Sequence, residues 1–269
     1  MSSNDAVLLT INDGVARLTL NEPARLNALS LAIMDGLFES LARLRTDKSV
    51  RVLQITGAGK AFSAGADLEI MNAEQTHVGE LTRGEWTDLQ MRTRHNRLIT
   101  ELRELPFPTL AILNGPVVGG SVGIAFAADI VIAARSTYVY LPFMTALGIV
   151  PDMGSSWFLP RLIGVGRSAA MTLLGNRISA EQAAAWGMIW ACVDEDKLEA
   201  EAKSITTRLA SLPAHAALET RALFEQTLSN TLQQQLDYER ARQHELIDRD
   251  TFPEGVLAFK EKRAPKFPR

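Results

Sequence analysis

The sequence predicts an α/β fold that continues into an all-helical region. Short runs of aliphatic and β-branched residues alternate with helix-periodic segments through roughly the first 200 residues. Two of these runs lead into glycine-rich turns, as buried strands do when a helix follows. From Glu199 onward the chain shows long amphipathic helical patterns and no strand signal. We therefore expect an α/β core over residues 1–200 and a helical region over residues 201–269.

The N-terminal elements follow from their residue patterns. Val7–Ile11 and Val15–Leu20 are short β-like runs, and the Asp-Gly pair between them favours a hairpin. Ser30 is a candidate N-cap for a helix over Leu31–Leu44, whose leucines recur at helical spacing. Val50–Thr56 is an apolar run and predicts the next strand.

The centre of the chain predicts a strand, a turn and a buried helix in succession. The charged residues 70–97 lead into a helix that stops before Pro106. Thr109–Leu113 is an apolar run typical of a buried strand. The glycines of Gly119–Gly123 follow, and an Ala-rich apolar segment then predicts a helix. Ile130–Ala133 predicts another strand.

The remaining elements are predicted to be mostly helical. We expect a strand at Tyr138–Tyr140 and a short helical turn at Phe143–Leu147. Ser179 is a further N-cap candidate, with Gln182 at the capping-box position. The predicted helices of this part are Ser155–Leu162, Arg167–Leu174, Glu199–Ser211 and His215–Asp248.

The composition of the chain excludes several classes of function. The chain has 269 residues and a formal charge of −3, which argues against nucleic-acid binding as its main task. Leu105–Ala128 is uncharged, but its prolines and glycines would break a membrane-spanning helix, so we expect no membrane association. A single cysteine, Cys192, and the lack of a visible secretory pattern predict a cytoplasmic protein.

Two turns built from small residues follow predicted strands. The first lies within Gly57–Leu68 and the second within Gly119–Gly123. Glycines at such positions let the backbone approach a ligand closely, with free N–H groups directed at it. Two N–H groups aimed at one point form an oxyanion hole, which stabilises negative charge that develops on a carbonyl oxygen.

The motifs in and around these turns resemble the enoyl-CoA hydratase/isomerase (crotonase) superfamily. The resemblance spans nearly the whole chain, in the order expected for the family. The matching segments are PARLNAL at 23–29, FSAGADL at 62–68, NGPVVGG at 114–120, GIVP at 148–151, LGNRISAEQA at 174–183 and FKEKRAPKF at 259–267.

The resemblance implies a fold, a substrate and an assembly. The fold is a crotonase-like spiral of ββα turns, with binding and catalysis in residues 1–200 and a helical trimerisation region in residues 201–269. The implied partner is an acyl-CoA thioester, whose coenzyme A belongs to the substrate, so no separate cofactor and no metal are expected. A homotrimer or a dimer of trimers is implied, as are roles in fatty acid or phenylacetate catabolism.

The resemblance also assigns residues to the site. The N–H groups of Ala66 and Gly120 would hold the oxygen of a thioester enolate. Arg25 could contact a phosphate or could be a solvated surface cation. The residues implied in coenzyme A binding are Ala24, Arg25, Leu26, Ala28, Ala64, Asp67, Leu68, Phe259 and Lys262.

The sequence departs from the hydratase pattern at both of its catalytic glutamates. The first position is occupied by Gly123, and the region of the second reads Leu141-Pro142-Phe143-Met144. A carboxylate occurs later, at Asp152, among apolar neighbours that would raise its pKa. One carboxylate suits isomerisation, and GIVPDMGSSWFLPRLIG most resembles the ring-epoxide isomerase branch. Alternatively, Asp152 caps the helix that begins near Ser155.

Two other activities remain as alternatives to an isomerase. An enoyl-CoA hydratase could work with one carboxylate and a water held by other groups. Gly119–Gly123 also spells G-x-S-x-G, which is typical of the nucleophile turn of serine hydrolases, with Asp152 and His215 or His244 later in the chain. Against a hydrolase using Ser121, the preceding strand is interrupted and His215 lies in a helical pattern. The histidines show no metal-binding spacing.

Overall fold

The computed structural model describes residues 5–67 and 77–267. Its strands and helices alternate up to residue 193, and helices follow. The strands are β1 (Val7–Asn12), β2 (Val15–Leu20), β3 (Val52–Gly57), β4 (His77–Val78), β5 (Leu81–Thr82), β6 (Thr109–Leu113), β7 (Val117–Val118), β8 (Ile130–Ala134), β9 (Tyr138–Tyr140), β10 (Ile178–Ser179) and β11 (Ala191–Val193).

Helices cover the sheets and form the C-terminal part of the molecule. The helices are α1 (Leu31–Thr46), α2 (Arg83–Gln90), α3 (Asn96–Arg103), α4 (Ser121–Phe126), α5 (Ser155–Leu174), α6 (Ala180–Ala185), α7 (Leu198–Ala210), α8 (Ala216–Gln226), α9 (Leu232–Ile247) and α10 (Thr251–Glu261). Single π-helical turns occur at Met91–His95 and Phe143–Leu147. No helix in residues 5–67 and 77–267 is both long enough and apolar enough to cross a membrane.

A six-stranded sheet with the order β1-β2-β3-β6-β8-β11 organises the core. The hairpin predicted from the Asp-Gly pair forms between β1 and β2, which are antiparallel. The other neighbours in this sheet are parallel. All residues of β3 and β6 are buried, which is why these strands appear in the sequence as continuous apolar runs instead of alternating ones.

The chain repeatedly adds a long strand to this sheet, a short strand to a second sheet, and then a helix. The second sheet has the order β10-β9-β7. The segment β6-β7-α4 forms one such unit, and β8-β9-α5 forms the next. These are ββα turns, as the resemblance implied. The repetition places the ends of successive long strands near the short strands of the second sheet.

The predicted helix caps are confirmed. The Ser30 side chain accepts a hydrogen bond from the Ile33 N–H, and the Ser179 side chain accepts one from the Gln182 N–H. Each bond satisfies a backbone donor that has no partner within its helix.

Two of the helix predictions are confirmed and one is wrong in its extent. Ser155–Leu162 and Arg167–Leu174 form the two arms of α5, which are separated by the non-helical residue Gly164, where φ is 80° and ψ is 157°. His215–Asp248 is not one helix but two, α8 and α9. Thr231 caps α9 with a capping box that includes Gln234, and this local signal stops the amphipathic pattern from continuing as one helix.

The C-terminal helices begin against the large sheet. Leu198, Ala202 and Ile205 of α7 form a buried cluster with apolar residues of β6 and β8. The Gln54 side-chain amide of β3 also donates to the Thr206 hydroxyl of α7, at 2.8 Å. The first helix after residue 193 is therefore packed on the core, and the boundary at residue 200 stays a prediction.

Candidate active site

The two small-residue turns lie side by side. Isolated parallel bridges join Leu29 to Ala66 and Ser63 to Val117. The Val118 N–H donates to the Ser63 carbonyl at 3.1 Å. The turn after β3 is therefore held between the segment that precedes α1 and the segment that contains β7.

Glycine is required where these two turns touch. Gly65 has a φ of +83°, and a Cβ atom there would lie 2.4 Å from the Val118 carbonyl oxygen. Gly119 has a φ of +59°, and a Cβ atom there would lie 3.9 Å from the Gly65 Cα atom. L-residues rarely adopt this left-handed backbone, whereas glycine adopts it freely. Each of the two glycines directly precedes one of the predicted oxyanion-hole residues, Ala66 and Gly120.

The N–H groups of Ala66 and Gly120 are available to a ligand. Neither group donates to another residue in the described ranges 5–67 and 77–267. Ala66 is exposed and Gly120 is buried. The two amides thus follow left-handed glycines on abutting segments, which is an arrangement that could bind a single oxygen.

Asp152 lies next to Gly120. A Cβ atom on Gly120 would lie 3.4 Å from Asp152 Oδ1. This oxygen is buried and has no hydrogen-bond partner among the described residues. Burial raises the pKa of Asp152 to about 6 because the charged form is poorly solvated there. The structure therefore places the Asp152 carboxylate beside Gly120, and the catalytic role of both residues stays a prediction.

The alternative role of Asp152, as a helix cap, does not fit the geometry. The N-cap residue of α5 is Gly154, and α5 has no side-chain cap. The backbone carbonyl of Asp152, not its carboxylate, accepts hydrogen bonds from the N–H and the hydroxyl of Ser155. Asp152 Oδ1 thus takes no part in capping α5.

The first group of residues implied in coenzyme A binding is brought together. The Ala64 N–H donates to the Leu26 carbonyl at 2.9 Å. Arg25, which was predicted to contact phosphate or solvent, instead forms an ion pair with Asp67 at 2.6 Å. Ala24 and Ala28 belong to the same segment as Arg25 and Leu26. Leu68 lies outside the described residues.

The second group lies on α10. Phe259 is 87% exposed, and Lys262 ends the helix in a left-handed conformation with a φ of 54°. Helix α10 packs against α9. No hydrogen bond or ion pair among the described residues links α10 to the segment of Ala24. The structure of the single chain does not bring Phe259 and Lys262 to the other predicted binding residues.

Sequence reasoning missed Asn27, which holds the first turn in place. Its side chain is fully buried, and its amide donates to the carbonyls of Ala58 and Ala61, each at 2.9 Å. Its side-chain oxygen accepts a hydrogen bond from the Glu22 N–H. A buried asparagine that satisfies three backbone groups fixes the loop between β3 and Ala66. The position of Asn27 within the family motif PARLNAL at 23–29 was the sequence feature that could have indicated this role.

His95 is partly buried, and no role was assigned to it from the sequence. Its Nδ1 atom is buried without a hydrogen-bond partner among the described residues. Burial lowers its pKa, so the ring is neutral near pH 7. His95 closes the π-helical turn before α3 and shares helical spacing with the buried Leu98, Ile99 and Leu102. This spacing could have predicted from the sequence that the His95 side chain lies on the buried face of the helix.

The Ser121 hydroxyl has a structural role. It donates toward the carbonyls of Ser63 and Val118 and accepts a hydrogen bond from the Val118 N–H. Ser121 is completely buried, and none of these bonds involves a histidine. The hydroxyl thus joins the two small-residue turns, and the geometry gives no support to a serine hydrolase.

Several known proteins are similar to this chain in both sequence and fold. The sequence model described as enoyl-CoA hydratase/isomerase matches residues 10–269. The chain is 38% identical to the 1,2-epoxyphenylacetyl-CoA isomerase of Escherichia coli over 263 residues, which cover 97% of each protein. It is 36% identical to a protein of Rhodobacter capsulatus named a probable enoyl-CoA hydratase, over 96% of this chain and 95% of that one.

A solved structure of an enoyl-CoA hydratase from Bacillus anthracis superposes with a TM-score of 0.86 and 31% identity, covering 97% of this chain and 98% of that one. The names of these relatives agree on the family and differ in the reaction. The match over nearly the whole chain, together with the repeated ββα turns, shows that the chain belongs to the enoyl-CoA hydratase/isomerase family and has the crotonase fold.

Proposed function

We propose that this protein is an enoyl-CoA isomerase that moves a double bond, or opens and rearranges a ring epoxide, in an acyl-CoA thioester. The observation that supports this most is the buried Asp152 Oδ1 atom, which has no hydrogen-bond partner among the described residues and lies beside Gly120. The two positions at which a hydratase of this family carries glutamates have no carboxylate here. Phenylacetyl-CoA-derived rings are the preferred acyl groups in this proposal, because the E. coli relative is named for such a substrate.

The chemistry needs one carboxylate and one oxyanion site. For a 3-enoyl-CoA, the Asp152 carboxylate removes a proton from C2, and the electron pair of that C–H bond moves into the conjugated system, placing negative charge on the thioester oxygen. The N–H groups of Ala66 and Gly120 stabilise that charge. The same carboxyl group returns the proton to C4, which gives the 2-enoyl product. A pKa of about 6 suits a group that must both accept and donate a proton near neutral pH.

A hydratase is the second candidate, and the hydratase names among the relatives favour it. Proton NMR of separate incubations with 2-enoyl-CoA and 3-enoyl-CoA distinguishes the two reactions. We expect interconversion of the two double-bond positions and no signal from a 3-hydroxyacyl product. Formation of 3-hydroxyacyl-CoA from the 2-enoyl substrate would replace the isomerase proposal with the hydratase one.

The Asp152→Asn variant tests the role of the carboxylate. The amide has nearly the same shape but cannot accept a proton, so we expect acyl-CoA binding to persist while turnover falls by at least about a thousandfold, in the range of a lost acid–base group. Calorimetric binding and the NMR assay provide the two measurements. A fluorophosphonate probe tests the hydrolase alternative, since the completely buried Ser121 hydroxyl should not be labelled. Turnover by Asp152→Asn at the normal rate would remove Asp152 from the mechanism.

We also propose that the chain assembles as a homotrimer or a dimer of trimers, in line with the family resemblance. Large apolar side chains are exposed on α5 and α10, among them Val165, Leu173 and Phe259. Such exposure on a single chain is typical of surfaces that are covered by another subunit. Analytical ultracentrifugation should give three or six times the chain mass of 29.5 kDa. A monomer at micromolar concentration would contradict this expectation.

A further inference from the structure

The segment Asp152–Gly154 has an unfavourable backbone conformation. Met153 has a φ of 48° although it has a side chain, and Gly154 follows with a φ of 79°. A left-handed conformation costs free energy for an L-residue, and it persists only where surrounding contacts impose it. Met153 is 3% exposed, so these contacts come from the core. The conformation of this segment determines where the Asp152 carboxylate lies.

The first contact that imposes this conformation is with Gly123 of α4. A Cβ atom on Gly123 would lie 1.8 Å from the Met153 carbonyl oxygen and 2.9 Å from the Met153 Cβ atom. The nearer of these contacts is to the backbone, so a side chain at residue 123 could not be accommodated by a rotamer change. The Met153 peptide therefore occupies the volume that any side chain at residue 123 would need.

The second contact is with Gly120, three residues earlier and therefore near Gly123 on the same face of α4. A Cβ atom on Gly120 would lie 2.7 Å from Met153 Sδ and 3.4 Å from Asp152 Oδ1. The two glycines thus form a bare backbone surface on which Asp152 and Met153 rest. Because Gly120 also supplies a proposed oxyanion-hole amide, this surface couples the position of the carboxylate to the position of that amide.

The third contact is with Ser155, at the start of α5. Its N–H donates to the Asp152 carbonyl at 3.0 Å, and its hydroxyl donates to the same oxygen at 2.5 Å. The Ser155 side chain is completely buried. Two donors on one carbonyl restrict rotation of the peptide that follows Asp152.

We propose that Gly123 and Ser155 are positioning residues for Asp152: Gly123 leaves room for the Met153 peptide, and Ser155 fixes the Asp152 carbonyl. This inference rests on the proposed function, in which Asp152 transfers the proton. Neither residue needs to touch the substrate. In this proposal Asp152 can take its position only if residue 123 has no side chain. The glycine at residue 123 is therefore needed for the single carboxylate, and is more than the loss of one of the two hydratase glutamates.

The Gly123→Ala variant tests the proposal directly. The added methyl group must push the Met153 peptide away, and a displacement of about 1 Å can lower the rate by about a hundredfold. We therefore expect kcat to fall by about a hundredfold with KM within about threefold of the original value. The pH midpoint of kcat should also move below the value of about 6 expected from Asp152, because a displaced carboxyl group is better solvated.

Gly166→Ala is the matched control. Gly166 is an exposed glycine in α5 with open space around its Cα, so the same substitution there should leave kcat, KM and the pH midpoint unchanged. A purely structural effect of Gly123→Ala would reduce the amount of folded enzyme without moving the pH midpoint of the remainder. Unchanged kcat and an unchanged midpoint in folded Gly123→Ala would overturn the role of Gly123.

Ser155→Ala is the second variant and removes only one hydroxyl, so it decides the question if Gly123→Ala does not fold. We expect kcat to fall by about tenfold, the effect of a partial displacement, with unchanged acyl-CoA binding. Full activity in this variant would overturn the role of Ser155. The Asp152→Asn variant separates the two proposals. If it turns over substrate at the normal rate, the proposed function is wrong. If it is inactive while Gly123→Ala and Ser155→Ala are fully active, only the positioning roles of Gly123 and Ser155 are refuted.

Discussion

The carboxyl group of Asp152 lies where its charged form is poorly solvated, and this has a measurable effect on stability. Its pKa is raised to about 6 by burial, so the folded protein binds this proton more tightly than the unfolded chain, whose value is near 3.8. The contribution of Asp152 to folding is therefore most favourable below about pH 4. It becomes less favourable as the pH rises through about 6.

The Asp152→Asn variant should consequently be more stable than the original protein above about pH 7, by up to about 3 kcal/mol. The difference should disappear near pH 4, where both side chains are neutral. Urea denaturation at several pH values gives the free energy of unfolding for each protein. Greater stability of the original protein at pH 8 would show that Asp152 has a favourable partner in the folded state. The Asp152→Asn variant should thus gain stability and lose turnover. This combination is expected where a charged group is buried because the reaction needs it there.

A buried arginine, Arg221, attaches helix α8 to the core, beside an ion pair between Glu225 of α8 and Arg103 of α3. The guanidinium group of Arg221 makes two bonds to the Asp129 carboxylate, at 2.7 and 2.6 Å. It also donates to the carbonyls of Arg103, Leu105 and Phe107, in the turn between α3 and β6. Since Asp129 accepts from the N–H and hydroxyl of Thr109 as well, Arg221 connects a C-terminal helix to the start of β6. The side chain of Arg221 is 6% exposed.

The Arg221→Leu variant should lower the free energy of unfolding by about 3–5 kcal/mol, because it removes the buried guanidinium group that pairs with Asp129 and donates to three carbonyls. Arg240→Leu is the matched control. Arg240 pairs with Asp237 at 3.5 Å on the surface of α9, and its removal should cost less than about 1 kcal/mol. Guanidinium denaturation provides the comparison. Equal effects of the two substitutions would contradict a special role for Arg221.

At the scale of the whole molecule, the ββα repetition gathers residues that are far apart in the sequence. Ala66 follows β3, Gly120 precedes α4, and Asp152 precedes α5. Parallel neighbours in a sheet have their carboxyl ends at the same edge, so the segments that follow β3 and β6 meet there. The segment before α5 then packs on α4. Three successive parts of the chain thus supply the two proposed amides and the proposed base.

Much of the fold could be predicted from the sequence because the signals were local. The β1–β2 hairpin, the buried strands and the caps Ser30 and Ser179 depend on neighbouring residues, and all of them are confirmed. The break between α8 and α9 was missed although the capping box at Thr231 was present, because the amphipathic pattern continues across it. The two arms of α5 on either side of Gly164 were predicted as separate helices, because glycines interrupt the helical pattern there.

The sequence by itself determined the family, the order of the longer strands and helices, and the types of residue in the candidate site. Only the tertiary structure decided that Arg25 pairs with Asp67, that the Ser121 hydroxyl joins two turns, and that Asp152 Oδ1 is buried without a partner among the described residues. The physical reason is that secondary structure depends on spacing along the chain, whereas partners, burial and pKa depend on groups that folding brings together from distant parts of it. Gly123 shows the difference most clearly: in the sequence it is a missing glutamate, and in the fold it is the space that the Met153 peptide fills.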